Sequence, residues 1–227
     1  MSSPLEWTKE LRSVVRGTAR VLKEIQAAGI QKIPAHALMK RKTQTDPLEP
    51  IRRKALICKA CRLHKERTQV VFGEGSLEAS LVFVGEGPGR EEDLQGRPFV
   101  GAAGTLLTKI IQAMGMQREL VYIANVVKCR PPMNRPPEPD EVESCSGYLT
   151  AQLSIIHPKV ICALGKTAAT ALLKTGATMG QLRGRTFEWQ GIPVIVTYHP
   201  AYLLRNPAAK KDVWADMQQV LAVLKSC

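Results

Sequence analysis

Beyond residue 80, the pattern of hydrophobic and polar positions contains four short apolar runs, each bounded by turn residues. They are rich in β-branched residues, as expected of strands buried on both faces of a parallel sheet. The runs are Leu81–Val84, Val121–Ala124, Val160–Leu164 and Val194–Thr197. A turn signal at Trp189–Gly191 predicts a hairpin just before the last of them.

Between these runs, apolar residues recur at helical spacing. The predicted helices cover residues 103–115, 138–156, 167–174 and 208–225. This alternation predicts an α/β fold, a three-layer α/β/α sandwich around a central, mainly parallel four-stranded sheet. Ligands bind such sheets at the carboxyl ends of the strands. Those ends are Gly85–Gly89, Asn125–Lys128, Gly165–Thr167 and Tyr198–Pro200.

The first quarter of the chain has a different pattern. A capping box at Ser3–Glu6, with proline at the first helical position, predicts a helix there. Residues 30–54 contain three prolines and the basic run Lys40–Lys42, which is typical of a linker. We therefore expect a basic helical extension and linker over residues 1–54 and a folded domain over residues 55–227.

The charge distribution supports this division. The net charge of the chain is +12, and such an excess indicates a polyanionic partner, with nucleic acid as the first candidate. Residues 1–54 contain 12 Lys and Arg against 5 Asp and Glu, which is more than half of that excess. The segment is either a DNA-binding arm or a packing helix with a solvated linker, and the sequence leaves both open.

Several classes of protein are excluded by the apolar and cysteine content. No apolar run approaches the roughly 20 residues of a membrane span. The N-terminus lacks the uninterrupted apolar segment of a secretory signal. Six cysteines in 227 residues are too few for a disulfide scaffold and indicate a reducing compartment. We expect a cytoplasmic protein with no membrane association.

The glycine-rich segment Val84–Asp93, VGEGPGREED, looks at first like a phosphate-binding loop. Gly85 and Gly87 fit the dinucleotide fingerprint, but its third glycine falls on Arg90, and no Gly-Lys-Ser/Thr follows as a P-loop requires. The carboxylates of this segment would also repel phosphate. Nucleotide triphosphate binding is therefore disfavoured, although a DNA phosphate could rest on the helix that follows Gly165.

Four cysteines are spaced as metal ligands. Cys58 and Cys61 form a C-x-x-C pair, Cys129 follows the second predicted strand, and Cys145 lies sixteen residues later in a predicted helix. Four thiolates bind zinc or an iron–sulfur cluster. Structural zinc sites usually use two close pairs, and a proline-rich loop separates the second pair here, so the spacing mildly favours a cluster. A redox-active C-x-x-C with two unrelated thiols stays open.

Three side chains near the strand ends suit a flat polar ligand. Phe99, within the turn-rich segment Gly96–Gly101, could stack on such a ligand or could cover the core as a lid. Asn125 offers a donor and an acceptor that match the edge of a base, unless its role is structural. His199 could donate a hydrogen bond to a developing anion.

The segment Ala201–Pro207, AYLLRNP, comes after the last predicted strand. If it is exposed, Tyr202, Leu203 and Leu204 form an apolar wedge that could enter a DNA duplex and fill the space of an extruded base, with Arg205 close behind. If it is buried, the segment is simply the start of the next helix.

Four motifs in order identify a family. GEGPGREED, GRPFVG, the Asn125 strand with KCRPP, and HPAYLLRNP together resemble the family-4 uracil-DNA glycosylases, the iron–sulfur branch of that superfamily. The resemblance covers about Cys58–Leu224 and leaves residues 1–54 outside it. It implies an α/β/α fold and hydrolysis of the N-glycosidic bond of uracil in DNA, leaving an abasic site. The alternative is a non-catalytic iron–sulfur DNA-binding module of a repair or replication complex.

The resemblance also implies a role for individual residues. Phe99 would stack on the flipped uracil, Asn125 would read its polar edge, and His199 would donate to uracil O2 as the base departs. Glu86 and Glu92 would be the nearby catalytic carboxylates. The residues expected to contact uracil are Gly85, Glu86, Gly87, Asp93, Phe99, Asn125 and His199. The expected DNA contacts are Lys166, Tyr202, Leu203, Leu204 and Arg205.

The resemblance further implies a [4Fe-4S] cluster on Cys58, Cys61, Cys129 and Cys145. The expected partner is uracil-containing DNA, single- or double-stranded, and the expected molecule is a monomer associated with a prokaryotic nucleoid. Gly87 occupies the position where better-known relatives outside this family have a water-positioning aspartate. The sequence therefore leaves open which of the loop carboxylates assists water.

Overall fold

The computed structural model describes residues 46–226 of the chain. Within this range, the strands are β1 (Glu74–Gly75), β2 (Leu81–Gly85), β3 (Tyr122–Asn125), β4 (Val160–Leu164), β5 (Thr186–Trp189) and β6 (Ile192–Thr197). The helices are α1 (Glu49–Leu56), α2 (Arg90–Gln95), α3 (Ala102–Ala113), α4 (Pro139–Ile156), α5 (Lys166–Leu173), α6 (Met179–Leu182), α7 (Pro200–Arg205) and α8 (Lys210–Ser226). The predicted helices correspond to α3, α4, α5 and α8.

The strands form one sheet in the order β1-β3-β2-β4-β6-β5. Strands β3, β2, β4 and β6 are parallel and are the four predicted runs, while β1 and β5 pair antiparallel at the two edges. The predicted count of four strands was therefore two short. Strand β1 has only two residues, and β5 alternates between exposed and half-buried positions, so neither forms an apolar run.

The predicted hairpin before the last strand is confirmed. Strands β5 and β6 are joined by Gln190 and Gly191, which have φ angles of 49° and 83°. Two successive positive φ angles are typical of the two-residue turns whose twist matches that of the strands.

The sheet is covered on both faces, which confirms the three-layer sandwich. Along β2, Val82 and Val84 pack in one core cluster, while Leu81 and Phe83 pack in the other, because successive side chains point to opposite faces. Helices α4 and α5 contribute to the first cluster, and α3 and α8 contribute to the second. Burial on both sides explains why the central strands are apolar throughout.

The folded domain begins earlier than predicted. The compact unit starts at Pro47, and Leu48 is fully buried in the core cluster that also contains residues of α4. Helix α1 looks like linker in the sequence because it is short and carries Arg52, Arg53 and Lys54, yet it packs on the domain. The helix predicted from Ser3 lies outside the described residues. None of the described helices is both long and apolar enough to cross a lipid bilayer.

Candidate active site

A cleft of about 480 Å³ lies at the carboxyl ends of the parallel strands. The loop after β2, the start of α3, the end of β3, the turn between β4 and α5, and α7 all contribute to its walls. The predicted site residues that line it are Glu86, Gly87, Glu92, Phe99, Asn125, Lys166, His199, Tyr202 and Arg205.

Asn125, which lines this cleft, carries an unsatisfied polar atom. The residue is almost fully buried at the end of β3, and within the described part of the chain its side-chain oxygen has no hydrogen-bond partner. A buried acceptor without a partner costs about 1–3 kcal/mol of stability. Because this atom belongs to a cleft-lining residue, a ligand that carries an N–H group would remove that cost.

Phe99 forms an apolar wall of the same cleft. Its backbone has a φ of 52°, which is unusual for a residue other than glycine, and its ring centroid lies 5.5 Å from that of His199. Gly85 lies against the Phe99 ring, which can take this position only because Gly85 has no side chain. A Cβ atom at Gly85 would lie 2.5 Å from Cζ of Phe99 and would also collide with the Asn125 side chain. Gly85 therefore shapes the cleft through its lack of a side chain.

His199 is held as a neutral hydrogen-bond donor. It is the N-cap residue of α7, and its Nδ1 accepts the N–H of Ala201 at 3.1 Å. The ring proton must then be on Nε2, which can donate into the cleft. Burial lowers the pKa of His199 to about 4, so the imidazole is uncharged at neutral pH.

The two predicted carboxylates have different surroundings. Oε2 of Glu86 accepts the hydroxyl hydrogen of Thr167, and among the described residues its other oxygen has no hydrogen-bond partner. Oε1 of Glu92 accepts the backbone N–H groups of Val100 and Gly101, each at 2.9 Å. Glu92 therefore holds the segment that carries Phe99. Each of the two carboxylates has one oxygen without a hydrogen-bond partner among the described residues.

The assignment of Asp93 to the uracil site is wrong. Asp93 does not line the cleft, and its carboxylate accepts the backbone N–H groups of Thr68 and Gln69 instead. It comes directly after Glu92 on α2, and consecutive helical positions point about 100° apart, so only one of the two can face the cleft.

The assignment of Leu203 to the DNA surface is also wrong. Leu203 is 1% exposed and belongs to the core cluster with α3 and α8, whereas Leu204 is 49% exposed. Helix α7 therefore combines the two alternatives that the sequence left open, because it buries one leucine and exposes the next. Tyr202 is half-exposed, lines the cleft and stacks on Tyr198 with ring centroids 4.7 Å apart.

The four predicted cysteine ligands all line the same cavity, which is separate from the cleft. Arg67 donates to Sγ of Cys129 at 3.1 Å, and the backbone N–H of Lys128 donates to Sγ of Cys145 at 3.3 Å. In this conformation, no three His, Cys, Asp or Glu side chains of the described residues are grouped tightly as a metal site. Burial raises the pKa of the Cys145 thiol to about 11, and a bound metal would reverse this by stabilising the thiolate.

Sequence reasoning missed several residues near the site. Thr167 was placed at a strand end where ligands bind, but no role was predicted for its hydroxyl group, which donates to Glu86. Asn134 and Arg135 line the cleft from the proline-rich loop, which the sequence marked only as a spacer between cysteines. Lys128 is almost fully buried beneath Asn125, and no sequence pattern predicts a buried lysine.

The cleft defines the class of protein. It belongs to an α/β protein that can enclose a flat, uncharged ring, with stacking against Phe99 and hydrogen bonds to its edge from Asn125 and His199. A charged phosphate would meet Glu86 and Glu92 there, so the ring rather than a phosphate group fits the interior.

Comparisons with known proteins agree with this class. Residues 72–218 match the family described as the uracil DNA glycosylase superfamily. The chain is 46% identical to the type-4 uracil-DNA glycosylase of Thermotoga maritima, over 81% of this chain and 97% of that protein. It is 44% identical to the type-4 enzyme of Archaeoglobus fulgidus, over 77% and 92%. For that of Sulfurisphaera tokodaii the identity is 45%, over 77% and 84%. The chain belongs to the uracil-DNA glycosylase superfamily, in its type-4 group.

Proposed function

We propose that this protein is a DNA-repair glycosylase that binds uracil flipped out of DNA and hydrolyses its N-glycosidic bond, leaving an abasic site. The observation that carries the proposal is the unpartnered, buried oxygen of Asn125 in a cleft walled by Phe99. The edge of uracil carries an N–H group between two carbonyl groups, so it satisfies this oxygen. Cytosine has no hydrogen at the corresponding ring nitrogen, so the same contact supports discrimination against it.

The proposed chemistry relies on charges that develop as the bond breaks. Negative charge accumulates on the departing uracil, and positive charge accumulates on the sugar. The Nε2–H group of His199 donates to uracil O2, and this bond strengthens as the charge on O2 grows. A neutral imidazole suits this task, because the proton on Nε2 is fixed by the bond between Nδ1 and Ala201.

Glu86 is the carboxylate that we assign to the sugar side of the reaction. Thr167, in the first turn of α5, binds one of its oxygens and so fixes the carboxylate at the wall of the cleft. Its second oxygen can orient the attacking water or stabilise the developing positive charge on the sugar. Glu92 is assigned to positioning, because two backbone N–H groups already bind its Oε1.

We also propose that Cys58, Cys61, Cys129 and Cys145 bind a [4Fe-4S] cluster. Four thiol groups around one cavity, two of them receiving N–H donors, fit the ligand set of such a cluster. Bound there, the cluster would supply a cross-link between the chain before β1 and the chain after β3. A brown protein that contains iron and sulfide supports the assignment, and a colourless protein with stoichiometric zinc contradicts it.

The DNA surface is proposed to surround the mouth of the cleft. Lys166 and Arg205 are cleft-lining cations that could hold phosphates on either side of a flipped nucleotide. Tyr202 and the exposed Leu204 lie on the same short helix as Arg205, in position to fill the gap left in the base stack. We propose that the protein acts as a monomer on single- or double-stranded DNA.

The experiment is a glycosylase assay on a uracil-containing oligonucleotide, with subsequent alkali treatment to cleave abasic sites. We expect strand scission with the wild-type protein and no scission of the matching thymine or cytosine oligonucleotide. His199→Ala should lower the single-turnover rate at least about tenfold, the scale of losing a transition-state donor. No scission at stoichiometric wild-type protein would favour the alternative, a non-catalytic DNA-binding module.

A further inference from the structure

Lys128 is a buried basic residue that the proposed chemistry does not use. It is 1% exposed, and lysine is almost never buried to this extent without a specific partner. Its amino group donates to the backbone oxygen of Asn125 at 2.8 Å and to Oε1 of Gln152 at 2.6 Å. Within the described part of the chain, no carboxylate forms an ion pair with it. One of the two polar partners of Lys128 is thus the backbone carbonyl group of Asn125, the residue that we propose reads the base.

Gln152, the second partner of the Lys128 amino group, is itself held by hydrogen bonds. Its Nε2 donates to the backbone oxygen of Phe72 at 2.8 Å and to the hydroxyl group of Tyr122 at 3.0 Å. All of these groups are buried, so water does not compete for them. The amino group of Lys128 is therefore held between α4 and the end of β3 by a continuous hydrogen-bond network.

The backbone geometry explains why Asn125 needs such a contact. Strand β3 ends at Asn125, and the next two residues, Val126 and Val127, donate their N–H groups to the backbone oxygens of Gly85 and Glu86. The Lys128 side chain then turns back to the carbonyl group of the residue three positions earlier. The carbonyl group and the side chain of Asn125 share one Cα atom, so fixing the former restricts the direction of the latter.

We propose that Lys128 is a positioning residue for base excision, because it holds the Asn125 carbonyl group and so aims the Asn125 amide at the edge of the uracil. The inference rests on the proposed function and extends it to a residue outside the cleft. The same residue also links the cleft to the second cavity, since the backbone N–H of Lys128 donates to Sγ of Cys145.

The test begins with Lys128→Met, which keeps an unbranched chain of similar length and removes the amino group. Under single-turnover conditions we expect the limiting rate to fall about 100-fold, the scale of a misplaced catalytic contact. The protein concentration at half-saturation should stay within about twofold, because a buried residue makes no phosphate contact. Lys109→Met, on the exposed side of α3, removes one surface charge as a matched control and should leave the limiting rate unchanged.

A double-mutant cycle with Asn125→Ala separates positioning from general damage to the fold. If Lys128 acts through Asn125, Lys128→Met should cost less than about twofold once the Asn125 amide is absent, because residues in one network are not additive. An equal loss in both backgrounds overturns the proposal. Visible absorbance and thermal unfolding of each variant show whether the cysteine site and the fold are intact.

A substitute variant and the activity of the wild-type protein separate the possible outcomes. If Lys128→Met does not fold, Gln152→Met takes its place in the cycle, since it removes the other acceptor of the same amino group. If the wild-type protein releases no uracil, the proposed function itself fails. If the wild-type protein is active and the cycle is additive, only the role of Lys128 fails.

Discussion

Several residues of the cleft are individually unfavourable for folding. Asn125 buries an oxygen without a partner, and Phe99 has a positive φ. Each such feature costs on the order of 1–3 kcal/mol and persists only where surrounding contacts impose it. The unpartnered oxygen of Asn125 suits a binding site for a polar, flat ligand, because a fully satisfied cleft would have no hydrogen bond left for that ligand.

Gly85 provides a direct test of this arrangement. We expect Gly85→Ala to lower the excision rate on the order of 100-fold, because its Cβ would displace both Phe99 and Asn125 and so misplace two ligand contacts. Single-turnover assays on uracil-containing DNA measure this rate. The free energy of unfolding should also fall by about 1–3 kcal/mol, as for other overpacked core positions.

Gly147→Ala is the matched control for this substitution. Gly147 lies inside α4, and a Cβ there meets no atom within 4 Å. Alanine should therefore stabilise the protein by about 0.5–1 kcal/mol, because it lowers the entropy of the unfolded chain and favours the helix. The excision rate should not change. If Gly85→Ala were as active as this control, Gly85 would have no role in shaping the cleft.

The low pKa of His199 predicts a pH dependence of stability. The folded-state pKa is about 4, below the ordinary value of 6.5, so the unfolded chain binds a proton more readily between these pH values. The free energy of unfolding should therefore decrease as the pH falls from about 6.5 to about 4, and His199 should have no such effect above about 7. Thermal unfolding at pH 7 and pH 4.5 measures the difference.

His199→Asn is the control for the pH experiment. Asparagine preserves an N-cap acceptor for α7 but does not titrate. The wild-type protein should lose more thermal stability than this variant between the two pH values. Equal losses would mean that the imidazole is not buried in its neutral form. The rate of the wild-type enzyme should also show no inflection from His199 between about pH 5.5 and pH 8.

At the scale of whole elements, the sequence predicts the strands that are buried on both faces of the sheet. It predicts less well the short elements that are partly exposed. The parallel strands are apolar throughout, so their positions were predictable, and so were the long helices between them. Helix α1 was missed, and β5 was predicted only through the hairpin turn that follows it, because neither has an apolar pattern of its own. The motif resemblance named many of the residues that line the cleft, but it could not show that α7 buries Leu203 while Leu204 is exposed.

The segment before α3 illustrates how an element positions the site. Glu92 binds the N–H groups of Val100 and Gly101, and Phe99 directly precedes them. We expect Glu92→Ala to lower the free energy of unfolding by about 2 kcal/mol, because two hydrogen bonds to a charged group are lost. The excision rate should fall with it, since Phe99 loses its support. Denaturant unfolding and single-turnover assays measure the two effects.

Glu92→Gln distinguishes support from catalysis. The amide oxygen of glutamine can accept the same two N–H groups, so we expect most of the stability to be retained and the rate to stay within about fivefold of wild type. If Glu92→Gln is as slow as Glu92→Ala while its stability is restored, the negative charge of Glu92 is required in the reaction. In that case Glu92 shares the role that we assign to Glu86.

At the scale of the molecule, a short segment after β3 joins the cleft to the cysteine cavity. Asn125 ends β3 in the cleft, and Cys129 lies four residues later in the second cavity. Lys128 lies between them and contacts both sites, through its side chain on one side and its backbone N–H on the other. Damage to the cysteine site should therefore reach Asn125 by a short covalent path.

The chain before residue 46 carries much of the positive charge that could bind DNA. Residues 1–45 contain nine Lys and Arg against three Asp and Glu, which is half of the net charge. Deleting them should reduce the slope of log affinity for DNA against log salt concentration, because fewer phosphates are neutralised. The limiting excision rate should stay near wild type, since the cleft residues to which we assign roles all lie in the described domain. Deleting residues 1–54 should in addition cost about 2–5 kcal/mol, because Leu48 leaves the core. An unchanged salt slope for the shorter deletion would mean that the segment does not bind DNA.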